Sequence, residues 1–158
     1  MRSFIRLIEN AQRLSIEPMK PDELDEVLEC FERNFNHPGQ AIEPEFAGAQ
    51  CFVARDGEKI VGFYLLKPKS LEAHFPKLAG HKYTGRGVQG VALCLDAEYR
   101  GSGLGKQMMD LPVRIGDYVW GMHLHELNNL HHWTKRRDFV VDTMDDGDPV
   151  YVTAAQLR

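Results

Sequence analysis

The apolar positions fall into short continuous runs and a few periodic stretches, and these set out the elements of the chain. Cys51–Arg55 and Lys59–Leu66 are apolar runs joined through Asp56-Gly57, which predicts a β-hairpin. Val91–Leu95 carries no charge and predicts a strand buried on both faces. Upstream, Arg13–Met19 alternates around Leu14 and Ile16 and is limited by Pro18, as suits a first edge strand. Pro21 opens a helix with Asp22 and Glu23 in its first turn. Leu24, Val27, Leu28, Phe31 and Phe35 follow at helical spacing, and the helix stops near Asn36-His37-Pro38-Gly39. Ala41–Gln50 reads either as a short second helix or as an ordered loop. Lys67–Arg86, rich in Pro, Lys, Gly and His, shows no period and is expected to be a long unstructured connection, usually functional or mobile. A helix is expected from about Gly103, ended or kinked by Pro112, because a mid-helix proline costs about 3 kcal/mol. Tyr118–Glu126 predicts a fifth strand and Leu127–Arg136 a helix. Asp138–Met144 and Val150–Ala154 form a closing hairpin around Asp145-Asp146-Gly147-Asp148.

Composition narrows the classes that such a chain can belong to. The 158 residues, without repeats, low-complexity tracts or a linker, are expected to form one domain. A net charge of −4 argues against non-specific nucleic-acid binding, which needs a basic surface. Cys30, Cys51 and Cys94 are odd in number and lie among apolar residues, so reduced thiols and a cytoplasmic location are expected. No apolar run approaches the ~20 residues of a membrane span. Met1–Gln12, with Phe4, Ile5, Leu7 and Ile8 beside Arg2 and Arg6, is too short and interrupted for a signal peptide and reads as a short amphipathic helix.

Gly87–Gly105 carries the clearest chemical signal. Its apolar run is followed by Arg100-Gly101-Ser102-Gly103-Leu104-Gly105 and then by a helix start at Lys106-Gln107-Met108-Met109. A buried strand, a glycine turn and a helix N-terminus in that order favour an anion, and the absent Cβ atoms let a pyrophosphate approach the backbone amides. The Walker pattern GxxxxGK[ST] is absent, and Gly101–Gly105 is one residue short of GxGxxG with no βαβ unit before it. The stretch does resemble the R/Q-x-x-G-x-G/A signature of the GNAT-type N-acetyltransferase superfamily, with Arg100, Gly103 and Gly105 at the signature positions. Ala97-Glu98-Tyr99-Arg100-Gly101 also stands where that family often has P-E-Y-R-G. The element order over residues 13–157 is similar to the order of that family.

This resemblance implies an α/β (α+β) GNAT fold: a mixed twisted sheet of six to seven strands with about four helices, splayed between strands 4 and 5. It implies acetyl-CoA as co-substrate, no metal, and direct transfer of an acetyl group to a primary amine. Cofactor contacts are then expected from Cys94, Leu95, Asp96, Arg100, Gly101, Ser102, Gly103, Leu104, Gly105, Lys106 and Asn128. The pyrophosphate would lie on amides 101–106, and the pantetheine arm would pair with the strand around Leu93–Asp96. A backbone N–H near Leu95 would polarise the thioester carbonyl.

Catalytic groups are harder to read. Family members often carry Glu or His early in the fourth strand, but Gln89–Leu95 holds neither. His123 and His125 share one face by period-2 alternation and are the candidate bases, read otherwise as partly solvated sheet histidines. Aligned on Phe139, Thr134 stands where the family commonly has Tyr, Asp138 where it has Gly, and Asn128 falls one residue late. Tyr83, a water, or unaided departure of the thiolate remains for the leaving group. His123, His125, Glu126, His131 and His132 also suggest a metal site, but adjacent helical histidines point about 100° apart and cannot readily share one ion. Lys135-Arg136-Arg137 is read as a solvated helix end or a phosphate contact. Asp142, Asp145, Asp146 and Asp148 are read as turn chemistry or an attraction for a cationic amine. The acceptor pocket is expected around Phe35–Gly39 and Lys67–Arg86, for a small-molecule or peptide amine, with a tRNA-linked acceptor disfavoured by the charge and homodimers common in the family. The rival reading is a catalytically weak acyl-CoA-binding domain that acts through protein contacts.

Overall fold

The computed structural model of the chain describes residues 13–125 and 130–158. In chain order it has β1 (Leu14–Pro18), α1 (Leu24–Phe35), β2 (Gln50–Asp56), β3 (Lys59–Pro68), α2 (Leu71–His74), β4 (Gly87–Leu95), α3 (Leu104–Met109), β5 (Tyr118–Leu124), α4 (Leu130–Thr134), β6 (Asp138–Asp145) and β7 (Asp148–Gln156). The strands make one mixed sheet in the order β1-β2-β3-β4-β5-β7-β6. β4 and β5 are parallel, in the register Gly87↔Tyr118, Val88↔Val119 and Gln89↔Trp120, while β1–β2, β5–β7 and β6–β7 are antiparallel. This is an α/β fold in the expected element order. The expected Met1–Gln12 helix lies outside the described residues.

The chain divides into two compact units. One takes the described residues up to Leu65 together with Ala92–Asp110. Here β2 and β3 are buried almost end to end, which is why both read as continuous apolar runs. α1 buries Val27, Cys30 and Phe31 and ends where Asn36 turns left-handed at φ 55°, its N–H donating to Glu32 O at 2.9 Å. Pro21–Glu23 is a separate 3₁₀ turn, so α1 starts later than expected, and Gly39–Ala41 and Glu43–Phe46 are 3₁₀ turns in the stretch that the pattern left open. One buried side chain in β2 is charged. Arg55 is held on both sides, by Glu17 at 3.1 Å and by two bonds to Glu23, the one from Nη2 to Oε1 being 2.6 Å long.

The other unit takes Leu66–Val91 and Leu111–Arg158. Its core joins Leu71, Phe75, Tyr83, Tyr118, Trp120, Val150, Val152 and Ala154. Lys67–Arg86 is more structured than its lack of period suggests: it holds α2 and a 3₁₀ turn at Pro76–Leu78. The reason is anchoring rather than propensity. Leu71 N–H donates to Tyr118 Oη at 2.9 Å, and Leu71 and Phe75 are buried in the core. The β6–β7 turn is the two-residue Asp146-Gly147, with φ 49° and 89°, as a type I′ hairpin demands.

Three expectations shift. Val91–Leu95 is not buried on both faces: only Cys94 is fully covered, against Cys30 of α1 at 3.7 Å, while residues 91–93 and 95 are half-buried. Apolar composition marked the strand but not which of its faces is covered. The helix after the glycine turn is only six residues long, and Pro112 lies in a following 3₁₀ turn, Leu111–Arg114. β5 stops at Leu124, and the helix expected over Leu127–Arg136 ends at Thr134, the expected residues 127–129 lying outside the described residues.

Two outcomes follow from the Arg55 cluster. Removing one partner of a buried pair strands the other charge, so Arg55→Leu lowers stability by about 3–5 kcal/mol in chemical denaturation. Hydrogen bonding to Arg55, against the opposing effect of burial, holds the Glu23 carboxyl at about 2, below its usual 4.5. Its contribution is therefore complete above pH ~4.5 and is lost as pH falls from there toward ~2. Melting from pH 6 to pH 3 shows this decline in the natural chain, and Glu23→Gln flattens it.

Candidate functional site

The glycine turn follows directly from β4. Asp96 closes the strand, its N–H donating to Val61 O at 2.7 Å on the β3 side. Amide directions alternate along a strand, so the Leu95 N–H points to the opposite edge of β4. The Asp96 carboxylate is fixed from α1: Arg33 Nε donates to Oδ1 at 2.9 Å and Nη2 to Oδ2 at 2.8 Å, while Asn34 Nδ2 adds a bond to Oδ1 at 2.8 Å. Arg33 Nη2 also reaches Ile60 O at 2.9 Å. Although burial opposes ionisation, the bonds from Arg33 and Asn34 hold the Asp96 carboxyl below its usual range. Beyond it, a 3₁₀ turn at Ala97–Tyr99 is pinned by Tyr99 Oη donating to Asp56 at 2.6 Å.

Gly101 and Gly103 then adopt φ 84° and 90°, which side-chain-bearing residues rarely do, and a Cβ on either would meet nothing within 4 Å. The turn is therefore open rather than packed. Two amides of the 101–106 set are engaged within it: Ser102 N–H donates to Tyr99 O and Leu104 N–H to Ser102 Oγ. No acceptor among the described residues takes the N–H of Gly101, Gly103, Gly105 or Lys106. Arg100 and Lys106 are exposed beside the turn, Leu104 is buried beneath it, and Leu95 Cδ2 lies 3.9 Å from where a Gly105 Cβ would be. Cys94 faces the other way: its contact with Cys30, reinforced by burial, pushes its thiol well up, so it stays protonated and is no nucleophile. Asn128 lies outside the described residues.

The two candidate histidines meet around Tyr151. His123 is the register partner of Tyr151, and His125, just past β5, stacks on the Tyr151 ring with centroids 3.8 Å apart. Their environments differ. His123 Nε2 lies 3.0 Å from Thr153 Oγ1, and burial, with a smaller effect of the Arg137 charge, lowers it to about 4, so it is neutral at pH 7. His125 Nε2 is 3.5 Å from Asp142 Oδ1 without forming a hydrogen bond and has no other partner among the described residues. Tyr83 donates to Asp138 Oδ2 at 3.0 Å, and burial followed by that carboxylate pushes its hydroxyl up, which makes it a reluctant acid. Lys135 and Arg136 are exposed, whereas Arg137 is buried with its guanidinium over the Trp133 ring at 4.2 Å. Glu126 and the side chains of His131 and His132 lie outside the described residues, and among the described residues no group of three or more His, Cys, Asp or Glu could hold a metal.

Two arrangements have no counterpart in the sequence reading. The Arg33–Asn34 grip on Asp96 joins residues 62 and 63 positions apart; its faint signal is that Cys30, Arg33 and Asn34 share a helical face. The second is a chain of contacts from Lys69 through His74 to Asp145, for which no spacing could have served as a signal.

A family model for the acetyltransferase (GNAT) domain matches residues 47–141. No curated protein matches the sequence. Solved structures share the fold at low identity. NAA60 of Arabidopsis thaliana, in complex with a bisubstrate analogue, is 15% identical with a TM-score of 0.71, over 92% of this chain and 99% of that one. A GNAT family acetyltransferase from Elizabethkingia anophelis with acetyl-CoA bound is 12% identical with a TM-score of 0.61, over 92% and 99%. The ribosomal-protein-S18-alanine N-acetyltransferase from Escherichia coli is 12% identical with a TM-score of 0.63, over 91% and 94%. The match over most of β2 to β6, on a seven-stranded sheet with this glycine turn after β4, places the chain in the GNAT acetyltransferase domain family.

Proposed function

We propose that the protein transfers an acetyl group from acetyl-CoA directly to a primary amine, with a peptide N-terminus as the first acceptor to test. The observation that carries this is the open turn at Gly101 and Gly103 in a chain of this family. Amides of Gly101, Gly103, Gly105 and Lys106, with the exposed side chains of Arg100 and Lys106, would hold the pyrophosphate, while the engaged amides of Ser102 and Leu104 brace the turn. When bound, acetyl-CoA supplies the acetyl thioester. The edge of β4 at Leu93–Asp96 would receive the pantetheine arm, and the outward Leu95 N–H would stabilise negative charge developing on the carbonyl oxygen. The Arg33–Asp96 pair positions that strand end; it is not itself in contact with the acyl group in this proposal.

His125 is the proposed base. Of the two candidate histidines it is the one whose Nε2, though buried, forms no hydrogen bond among the described residues, which leaves an acceptor nitrogen for the proton of the incoming amine in this proposal. His123 would act by holding the Tyr151 side of the sheet in place. No strong acid is assigned to the leaving thiolate, which is tolerable because a free thiol has a pKa of only about 8.5.

Thermal melting with acetyl-CoA, CoA and ATP side by side tests the site. Ligand at ~100 times Kd adds about 2.7 kcal/mol, a rise of several degrees for a chain of this size. The rise is expected with acetyl-CoA and CoA, absent with ATP, and absent with every ligand in Gly103→Glu, which places a charged side chain at a left-handed position facing the open turn. A Gly103→Glu protein that binds CoA normally would falsify the assignment. In a thiol-release assay with peptide amines, His125→Ala lowers kcat by about 100-fold or more while the CoA-induced melting shift is kept. Unchanged turnover removes His125 from the mechanism, and no turnover with any amine favours an acyl-CoA-binding domain without catalysis.

A further inference from the structure

Away from the glycine turn, three charged or titratable side chains form a continuous path. Lys69 Nζ lies 3.0 Å from His74 Nδ1, and His74 Nε2 lies 2.9 Å from Asp145 Oδ1. The carboxylate can only accept, so Nε2 carries a proton toward it, and Nδ1 is then the acceptor that faces the lysine. Nucleophile, base and orienting acid thus stand in the sequence used by activated-nucleophile sites.

The path is rigidly built. Lys69 is held by its backbone at both ends, its N–H donating to Gly87 O at 3.1 Å and its carbonyl accepting from Trp120 Nε1 at 2.8 Å. The His74 ring packs on Phe75 and Trp120, with centroids 4.7 and 5.5 Å away. Asp145 immediately precedes the type I′ turn at Asp146-Gly147. Lys69 and His74 are half-buried. A lysine needed only for solubility has no use for a fixed backbone, a packed imidazole and an aligned carboxylate.

We propose that Lys69 is an activated amine that accepts an acyl group from a thioester, giving the protein a covalent acyl-lysine site. The proposed function enters only through the choice of an acyl thioester as donor. Nζ attacks the thioester carbonyl carbon; the C–N bond forms, and the C–S bond breaks with its electron pair leaving on sulfur. Of the two protons lost by the ammonium, one passes to His74 Nδ1, where Asp145 faces the resulting imidazolium, and then to solvent. The other protonates the thiolate. The products are an amide at Lys69, a free thiol and one released proton. Acylation removes the lysine charge and its bond to His74, so the site also reports the supply of acyl donor.

The test uses the full chain with acetyl-CoA and, separately, with the acetyl thioester of N-acetylcysteamine, which lacks the nucleotide. Initial acylation rates are read by peptide mass mapping at Lys69 and at exposed Lys77, ten residues or fewer from it and in the same connection. Lys69 is expected to react at least about tenfold faster than Lys77 with one donor or both. Asp145→Asn, which keeps size and hydrogen bonding, and His74→Gln are expected to remove that advantage, with melting used to confirm folding. Lys69 reacting no faster than Lys77 in the natural chain with either donor overturns the proposal, as does an unchanged rate ratio in folded Asp145→Asn. The two readings separate cleanly. A CoA melting shift with slow Lys69 sinks only the acyl-lysine site, and fast Lys69 without that shift sinks only the cofactor site.

Discussion

The bidentate contact between Arg33 and Asp96, with Asn34 as a third donor, is the constraint on which the glycine turn depends. A strand end that leads into a turn with two left-handed glycines has little to define its direction. The carboxylate at that point is tied to α1 by three charge-assisted or amide bonds, and its own N–H is tied to β3. Geometry of this kind gives directional control that apolar packing cannot, because hydrophobic contacts fix distance far better than orientation. The Cys30–Cys94 contact lies one turn of α1 and two residues of β4 away, so packing and polar grip reinforce the same junction.

A contrast in environment runs through the titratable groups of the Leu66–Val91 and Leu111–Arg158 unit. Desolvation lowers half-buried His123 and raises buried Tyr83, and both are thereby kept neutral. His125 and His74 keep imidazole nitrogens beside carboxylates, Asp142 and Asp145. The acidic closing hairpin is therefore more than turn chemistry: two of its aspartates face histidines carried by other segments. That division separates imidazoles set against acidic side chains from groups held in one state by desolvation.

Much of the architecture was legible from local pattern. Continuous apolar runs marked β2 and β3 because both faces of those strands are covered, and Asp56-Gly57 marked their hairpin because few residues tolerate the turn backbone. Asn36 and the Asp146-Gly147 pair marked element ends for equally local steric reasons, whereas Pro21 opens a 3₁₀ turn ahead of α1. The Arg100–Gly105 signature was readable because backbone access at Gly101 and Gly103 requires glycine at fixed positions. Where local pattern misled, the cause was covering: Val91–Leu95 is apolar yet half-exposed, and Lys67–Arg86 is aperiodic yet anchored by Tyr118 and Trp120.

By itself, then, the sequence determined the order of elements, the places of the hairpins and the glycine signature, all properties of neighbouring residues and backbone sterics. Tertiary structure decided which polar groups meet. Asp96 finds Arg33 across 63 positions, and Asp145 finds His74 across 71. The same packing decides that His123 is desolvated while His125, two residues on, is not bonded in the same way. Protonation and reactivity depend on distance and dielectric in space, and neither is written in the spacing of residues along a chain.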